Sequence, residues 1–108
     1  VLKAPAQAMS ERDGLARLRA TLAQSQAFET VPEKHSATIA GHATSIRIES
    51  VFWEALKRES DRFGVPLNAL IAEIDVARLA APAPPNLASA IRLWLYERAW
   101  AGADAARS

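Results

Sequence analysis

Residues 37–56 read ATIAGHATSIRIESVFWEAL, and within them the apolar side chains pass from every second position to a helical spacing. In the first half, Ile46 and Ile48 fall on one face of an extended chain, with Ala43, Ser45 and Arg47 on the other. In the second half, Phe52 and Leu56 begin an apolar stripe that Phe63 continues, with Ala55 beside it. A strand therefore runs directly into a helix. Gly41 interrupts the β-prone run 38–48 and leaves two arrangements open. It is a bulge in one continuous strand, or the first position of a two-residue II′ turn that folds 38–40 back on 43–45.

Downstream, Glu49 or Ser50 stands at the N-cap of a helix over 51–63, and Gly64 occupies the left-handed stop position. Lys57, Arg58, Glu59, Asp61 and Arg62 form its solvated face. A second helix opens at Pro66 and carries Leu67, Leu70, Ile71 and Ile74 at the spacing of one buried face. Three prolines within 80–85 end it, and Asn86 caps a third helix whose Leu87, Ile91, Trp94, Leu95 and Arg98 share a face. The segment 102–108 is small and polar and reads as a disordered tail.

Upstream, residues 1–8 are rich in Ala and Pro and read as disordered. Val1 in first position points to trimming or to another start, with Met9 an alternative. Ser10 is placed to cap a helix with Glu11 and Asp13 in its first turn and Leu15, Leu18 and Leu22 on one face. That stripe is short, so the helix needs tertiary support. Residues 24–35, with Pro32 near the end, read as a linker. The expected organisation is an accessory arm over 1–35, a domain over 36–101 and the tail.

With 108 residues and half of them apolar, the chain can bury one core but not two. It has no cysteine, which excludes disulfides and thiolate metal sites and fits the cytoplasm. No apolar run approaches a membrane span. The formal net charge of +1 gives no whole-chain argument for nucleic-acid binding, so such a role must rest on local geometry.

Catalytic signatures are missing: there is no G-x-S-x-G, no Walker sequence and no G-x-G-x-x-G. Glu73 and Asp75 lie two apart on a helix and do not face each other. A non-enzyme without cofactor is expected. His35 and His42 lack the spacing of metal ligands, so no metal is expected either. His42 is instead placed to order the turn at Gly41 or to touch a phosphate.

A lone strand leaves a row of backbone N–H and C=O groups unpaired. With one convincing strand, the economical partner is the same strand of a second copy, antiparallel across a two-fold axis with the helices beneath. Ile46, Ile48, Phe52 and Trp53 would then form the dimer core.

The run TSIRIESVFWEALKRESDRFGVPLNALIAEID, the preceding TIAGH and the later NLASAIRLWLYER resemble the small bacterial ribbon-helix-helix proteins over residues 36–99. The resemblance implies a mainly α fold with one β-strand. Two copies would form an intertwined homodimer with a two-stranded antiparallel ribbon, to which this chain adds a C-terminal third helix and the N-terminal accessory helix. It further implies a DNA-binding transcriptional regulator whose ribbon enters the major groove of double-stranded DNA. Carried onto this chain, Ala43, Ser45 and Arg47 face the bases, and the backbone N–H groups of Leu67 and Asn68 hold a phosphate.

Arg47 is the strongest of these, because a guanidinium between Ile46 and Ile48 points away from the core and suits guanine O6/N7 or a phosphate. Ala43 offers only a methyl group. Over 36–78 the acids Glu49, Glu54, Glu59, Asp61, Glu73 and Asp75 slightly outnumber Arg47, Lys57, Arg58, Arg62 and Arg78. DNA binding therefore requires dimerisation to place the two Arg47 residues and Lys34 on one side. The alternative is a protein-interaction or antitoxin-like dimer module with little DNA binding, docking a partner through the N-terminal helix or the third helix.

Overall fold

The computed structural model describes residues 10–107, so the expectation for residues 1–8 lies outside the described part. In chain order it contains α1 (Glu11–Gln24), a short 3-10 helix (Ala27–Glu29), β1 (Pro32–Ile39), β2 (His42–Glu49), α2 (Ser50–Phe63), α3 (Leu67–Leu79) and α4 (Leu87–Arg107).

The strand expected to be alone has its partner in the same chain. β1 and β2 form an antiparallel hairpin in which Lys34 faces Arg47, His35 faces Ile46, Ser36 faces Ser45 and Thr38 faces Ala43. Ala40 (φ 51°) and Gly41 (φ 81°) both take positive φ, the signature of a type I′ turn, so the turn lies one residue earlier than the II′ expectation. Pairing within one hairpin satisfies the inner backbone groups of both strands, so the lone-strand argument for a second copy does not hold. The linker expectation for 24–35 is corrected with it. Pro32 sits at the first strand position, where a missing donor costs nothing in the ladder. Glu33 and Lys34 had the look of solvated linker, yet they are consecutive residues of a strand with one exposed face.

Three helices lie against the inner face of the hairpin. Ala37, Ile46 and Ile48 from the strands meet Leu56 of α2, Leu70, Ile71 and Ile74 of α3, and Ala90, Ile91 and Leu95 of α4 in one cluster. Ile48, Leu56, Ile71 and Ile91 are fully buried, each contributing roughly 1.5–3 kcal/mol relative to an exposed position. Phe52 and Trp53 pack against this same core, so the side chains assigned to a dimer core already have partners within one chain.

The helix ends follow the sequence closely. Gly64 (φ 68°, ψ 32°) terminates α2 in the left-handed region, and Asn86 Oδ1 accepts the Ser89 N–H at 2.8 Å at the start of α4. Pro66 is the N-cap of α3, not its first helical residue: its ψ of 149° is extended, and Leu67 begins the helix. α4 continues past Gly102 to Arg107, which corrects the expected tail. The alanines there carry the helix through the glycine.

Candidate nucleic-acid interface

Because antiparallel partners share a face, the register divides the hairpin cleanly. Lys34, Ser36 and Thr38 of β1 and Ala43, Ser45 and Arg47 of β2 form one outward face, and all six are exposed. These six supply two cations, three hydroxyls and a methyl group, and the row ends at the Pro32–Glu49 pair, whose carboxylate is held by Arg92. Lys34 lies directly opposite Arg47, and neither has an ion-pair partner among the described residues. Like charges at opposed strand positions are destabilising by themselves. An anion bound across the pair would reverse that cost.

Four of the six local acids that weighed against this face are engaged elsewhere, Asp61 and Glu73 being the two without an ion pair among the described residues. Glu54 pairs with Lys57 at 2.9 Å, Asp75 with Arg78 at 2.7 Å, Glu59 with Arg98 at 2.8 Å and Glu49 with Arg92 at 2.8 Å. The Arg92 hydrogen bond, more than any other influence, holds the Glu49 carboxyl below the usual carboxylate range. Arg92 also lies over the Phe52 ring at 5.9 Å, so the pair ties the end of β2 to α4.

The start of α3 adjoins the hairpin edge. Asn68 Oδ1 accepts the Thr38 N–H at 3.2 Å, which brings the helix N-terminus beside the outward row. Pro66 provides no side-chain cap. The N–H groups of Leu67 and Asn68 thus stand in the first turn, where no intrahelical acceptor exists.

Ala43, Ser45, Arg47, Leu67 and Asn68 are therefore brought to neighbouring surfaces. His42 is not in the outward row: it faces Ile39 and shares the strand face of Ile46 and Ile48, although it is exposed at the hairpin tip. His35, read as the last residue of a linker, turns inward and stacks on Trp53 with ring centroids 4.2 Å apart and planes 13° apart. Its Nε2 is buried without a hydrogen-bond partner. Trp53 was expected to pack across a dimer, and its ring partner is this histidine.

Ser36 and Thr38 were not singled out from the sequence, and Lys34 was assigned to a linker. The signal was the alternation in KHSATI, weak because its inward members are a histidine, an alanine and only one large aliphatic residue.

No group of three His, Cys, Asp or Glu residues that could hold a metal occurs among the described residues. No described helix is long and apolar enough to cross a membrane.

Residues 32–99, more than half of the chain, match the family model of the ribbon-helix-helix domain. The match begins at the first residue of β1 and ends within α4, so α1 lies outside it. No curated protein and no solved structure matches the chain significantly.

Proposed function

The chain belongs to the ribbon-helix-helix family, and from that premise we propose that it is a homodimeric, cytoplasmic transcriptional regulator whose hairpin reads double-stranded DNA. The observation that carries this is Lys34 opposite Arg47 on an exposed strand face, followed along the ribbon by the Ser36–Ser45 pair, with the one acid of that row, Glu49, held by Arg92. Two strands about 4.8 Å apart fit a major groove about 12 Å wide. Arg47 is suited to guanine O6/N7, Ser45 and Ser36 to donors or acceptors of either base, and Ala43 to a thymine methyl.

Lys34 reaches a flanking phosphate or a second guanine, and the Leu67 and Asn68 N–H groups at the open end of α3 hold another phosphate. The ribbon of one chain is complete in itself, so a dimer serves a different purpose from completing the strand. Its two-fold axis sets two hairpins into major-groove half-sites about 34 Å apart on a palindromic site.

Selection of duplex DNA by the full chain, followed by titration at several salt concentrations, tests this. A preferred sequence should emerge, with log K falling linearly with log salt. Lys34→Ala with Arg47→Ala should weaken binding by about tenfold or more, as for loss of a base or phosphate contact. Equal affinity for wild type and the double variant, or no binding at low salt, would exclude the hairpin as a reader and favour the protein-interaction alternative.

A further inference from the structure

Asn68 stands second in α3, where an asparagine side chain commonly bonds backbone groups of its own turn. Its Oδ1 instead accepts the Thr38 N–H at 3.2 Å, across 30 positions of sequence. The turn of the hairpin leaves that donor unused. A two-residue turn makes Ile39 and His42 a hydrogen-bonded pair, so Ala37–Thr44, His35–Ile46 and Glu33–Ile48 carry the ladder. The N–H groups of Thr38, Ser36 and Lys34 then point to the open edge of β1.

Among the described residues, this is the one hydrogen bond between the hairpin and α3. The rest of that contact is apolar, in the core that Ala37, Ile46 and Ile48 share with Leu70, Ile71 and Ile74. Apolar contact is non-directional, so it holds a helix against a sheet without fixing where the helix sits along the strands. A hydrogen bond is limited in both distance and angle. Thr38 and Asn68 are both exposed, so water competes for the bond and its contribution to stability is small. Its effect is on position.

Position matters because of what each end of the outward row carries. Lys34 and Arg47 stand at one end, and Thr38 and Ala43, four positions or about 13 Å away, at the other. The Thr38–Ala43 pair has no charge of its own, and beside it lie the Leu67 and Asn68 N–H groups at the start of α3. A ribbon held to a nucleic-acid backbone at one end pivots. Held at both ends, it presents its side chains to the bases in one register.

We propose that Asn68 is a positioning residue for base reading: its side chain fixes the start of α3 against β1, so that a phosphate held there sets the register of Ser36, Ser45 and Arg47 on the bases. The proposal rests on the reading of DNA by the hairpin. Asn68 serves it with two groups, the backbone N–H toward the phosphate and the side-chain carbonyl toward the ribbon.

Two substitutions in the full chain separate these groups. Asn68→Ala removes the side-chain acceptor and keeps the backbone N–H, whereas Asn68→Asp keeps an acceptor of the same shape and adds a charge. Each protein is titrated at neutral pH and one salt concentration with the selected duplex and with a scrambled duplex of equal length. Exchange of the Thr38 amide is followed by NMR without DNA.

In Asn68→Ala the Thr38 amide should exchange faster, while the melting temperature stays close to wild type. Preference for the selected duplex over the scrambled one should fall about fivefold, as for loss of one hydrogen bond. Asn68→Asp should restore both the Thr38 protection and the preference, while its carboxylate weakens binding to the two duplexes alike by repelling phosphate.

An equal loss on both duplexes in Asn68→Ala, or a preference that Asn68→Asp does not restore, would overturn the proposal. Unchanged Thr38 exchange in Asn68→Ala would overturn it too, because the bond would then hold nothing. A wild type that prefers a sequence, with that preference intact in Asn68→Ala, is the failure of this inference alone. A wild type with no preferred sequence is the failure of DNA reading itself, and the register goes with it.

Discussion

The two faces of the hairpin are built from alternate residues of the same two strands, and they obey opposite rules. On the inner face, Ala37, Ile46 and Ile48 are buried under three helices, and even the polar His35 is laid flat against Trp53. On the outer face, Lys34, Ser36, Ser45 and Arg47 touch no core, and the two cations are set opposite each other without a counterion. The inner face is what folding selects. The outer face contributes nothing to folding and carries a small electrostatic penalty, as expected where side chains are reserved for an external anion.

That contrast is broken most directly on the inner face. Ile48 is 0% exposed and contacts a core shared by the strands and all three helices of the domain. Ile48→Ala should cost about 2–5 kcal/mol, read from the shift in denaturant midpoint. A loss below about 1 kcal/mol would mean that the inner face collapses around the cavity and is not closely packed.

On the outer face the expected signature is inverted. The Lys34→Ala, Arg47→Ala double variant, which the proposed function expects to weaken DNA binding, should unfold within about 0.5 kcal/mol of wild type, as for surface substitutions generally. Any change should be toward greater stability, because the opposed charges are gone. Clear destabilisation would show that these side chains hold the fold, and the division between the two faces would fail.

Much of this architecture is legible in the sequence, for reasons that differ between elements. The left-handed Gly64, the Asn86 cap and most of the stripes of α2, α3 and α4 are local signals that appear where the residues place them, but in α2 Phe63 is exposed, and Glu59, read as solvated, is buried against Arg98. β2 was legible because Ile46 and Ile48 alternate with polar residues. β1 was not, because its inward positions are His35, Ala37 and Ile39, and its strand character comes from a partner supplied by the turn. Missing β1 hid Ser36 and Thr38, and it turned an intrachain hairpin into an apparent demand for a second chain. The engagement of the acids by Arg92, Arg98 and Arg78 could not be read from local charge, since two of those arginines lie more than 30 positions from their carboxylates.

Where the faces meet at the end of β2, Glu49 gives a pH-dependent test. Its carboxyl is held below the usual range chiefly by the Arg92 hydrogen bond, so the pair stabilises the fold above the ordinary carboxylate range. That stability is lost as pH falls through the lowered value, where Glu49 protonates in the folded state. Melting temperatures taken between about pH 6 and about pH 3 should therefore fall more for wild type than for Glu49→Gln. Parallel curves would show that the Glu49–Arg92 contact does not help hold β2 to α4.

The smallest effect is expected at the turn that joins the two faces in register. Ala40 has φ 51° without being glycine, and Gly41 follows at φ 81°. A type I′ turn favours Asn-Gly at these two positions, because an L-residue with a Cβ pays a steric cost in the left-handed region that asparagine partly recovers through local hydrogen bonding. Ala40→Asn should stabilise the protein by about 0.5 kcal/mol and leave DNA affinity unchanged, since residue 40 lies in the turn and not in the outward row. The sign is what matters. If the substitution destabilises, the strands do not turn at Ala40–Gly41, their register shifts, and a slip of one residue would send Lys34 and Ser36 to the face now occupied by His35 and Ala37.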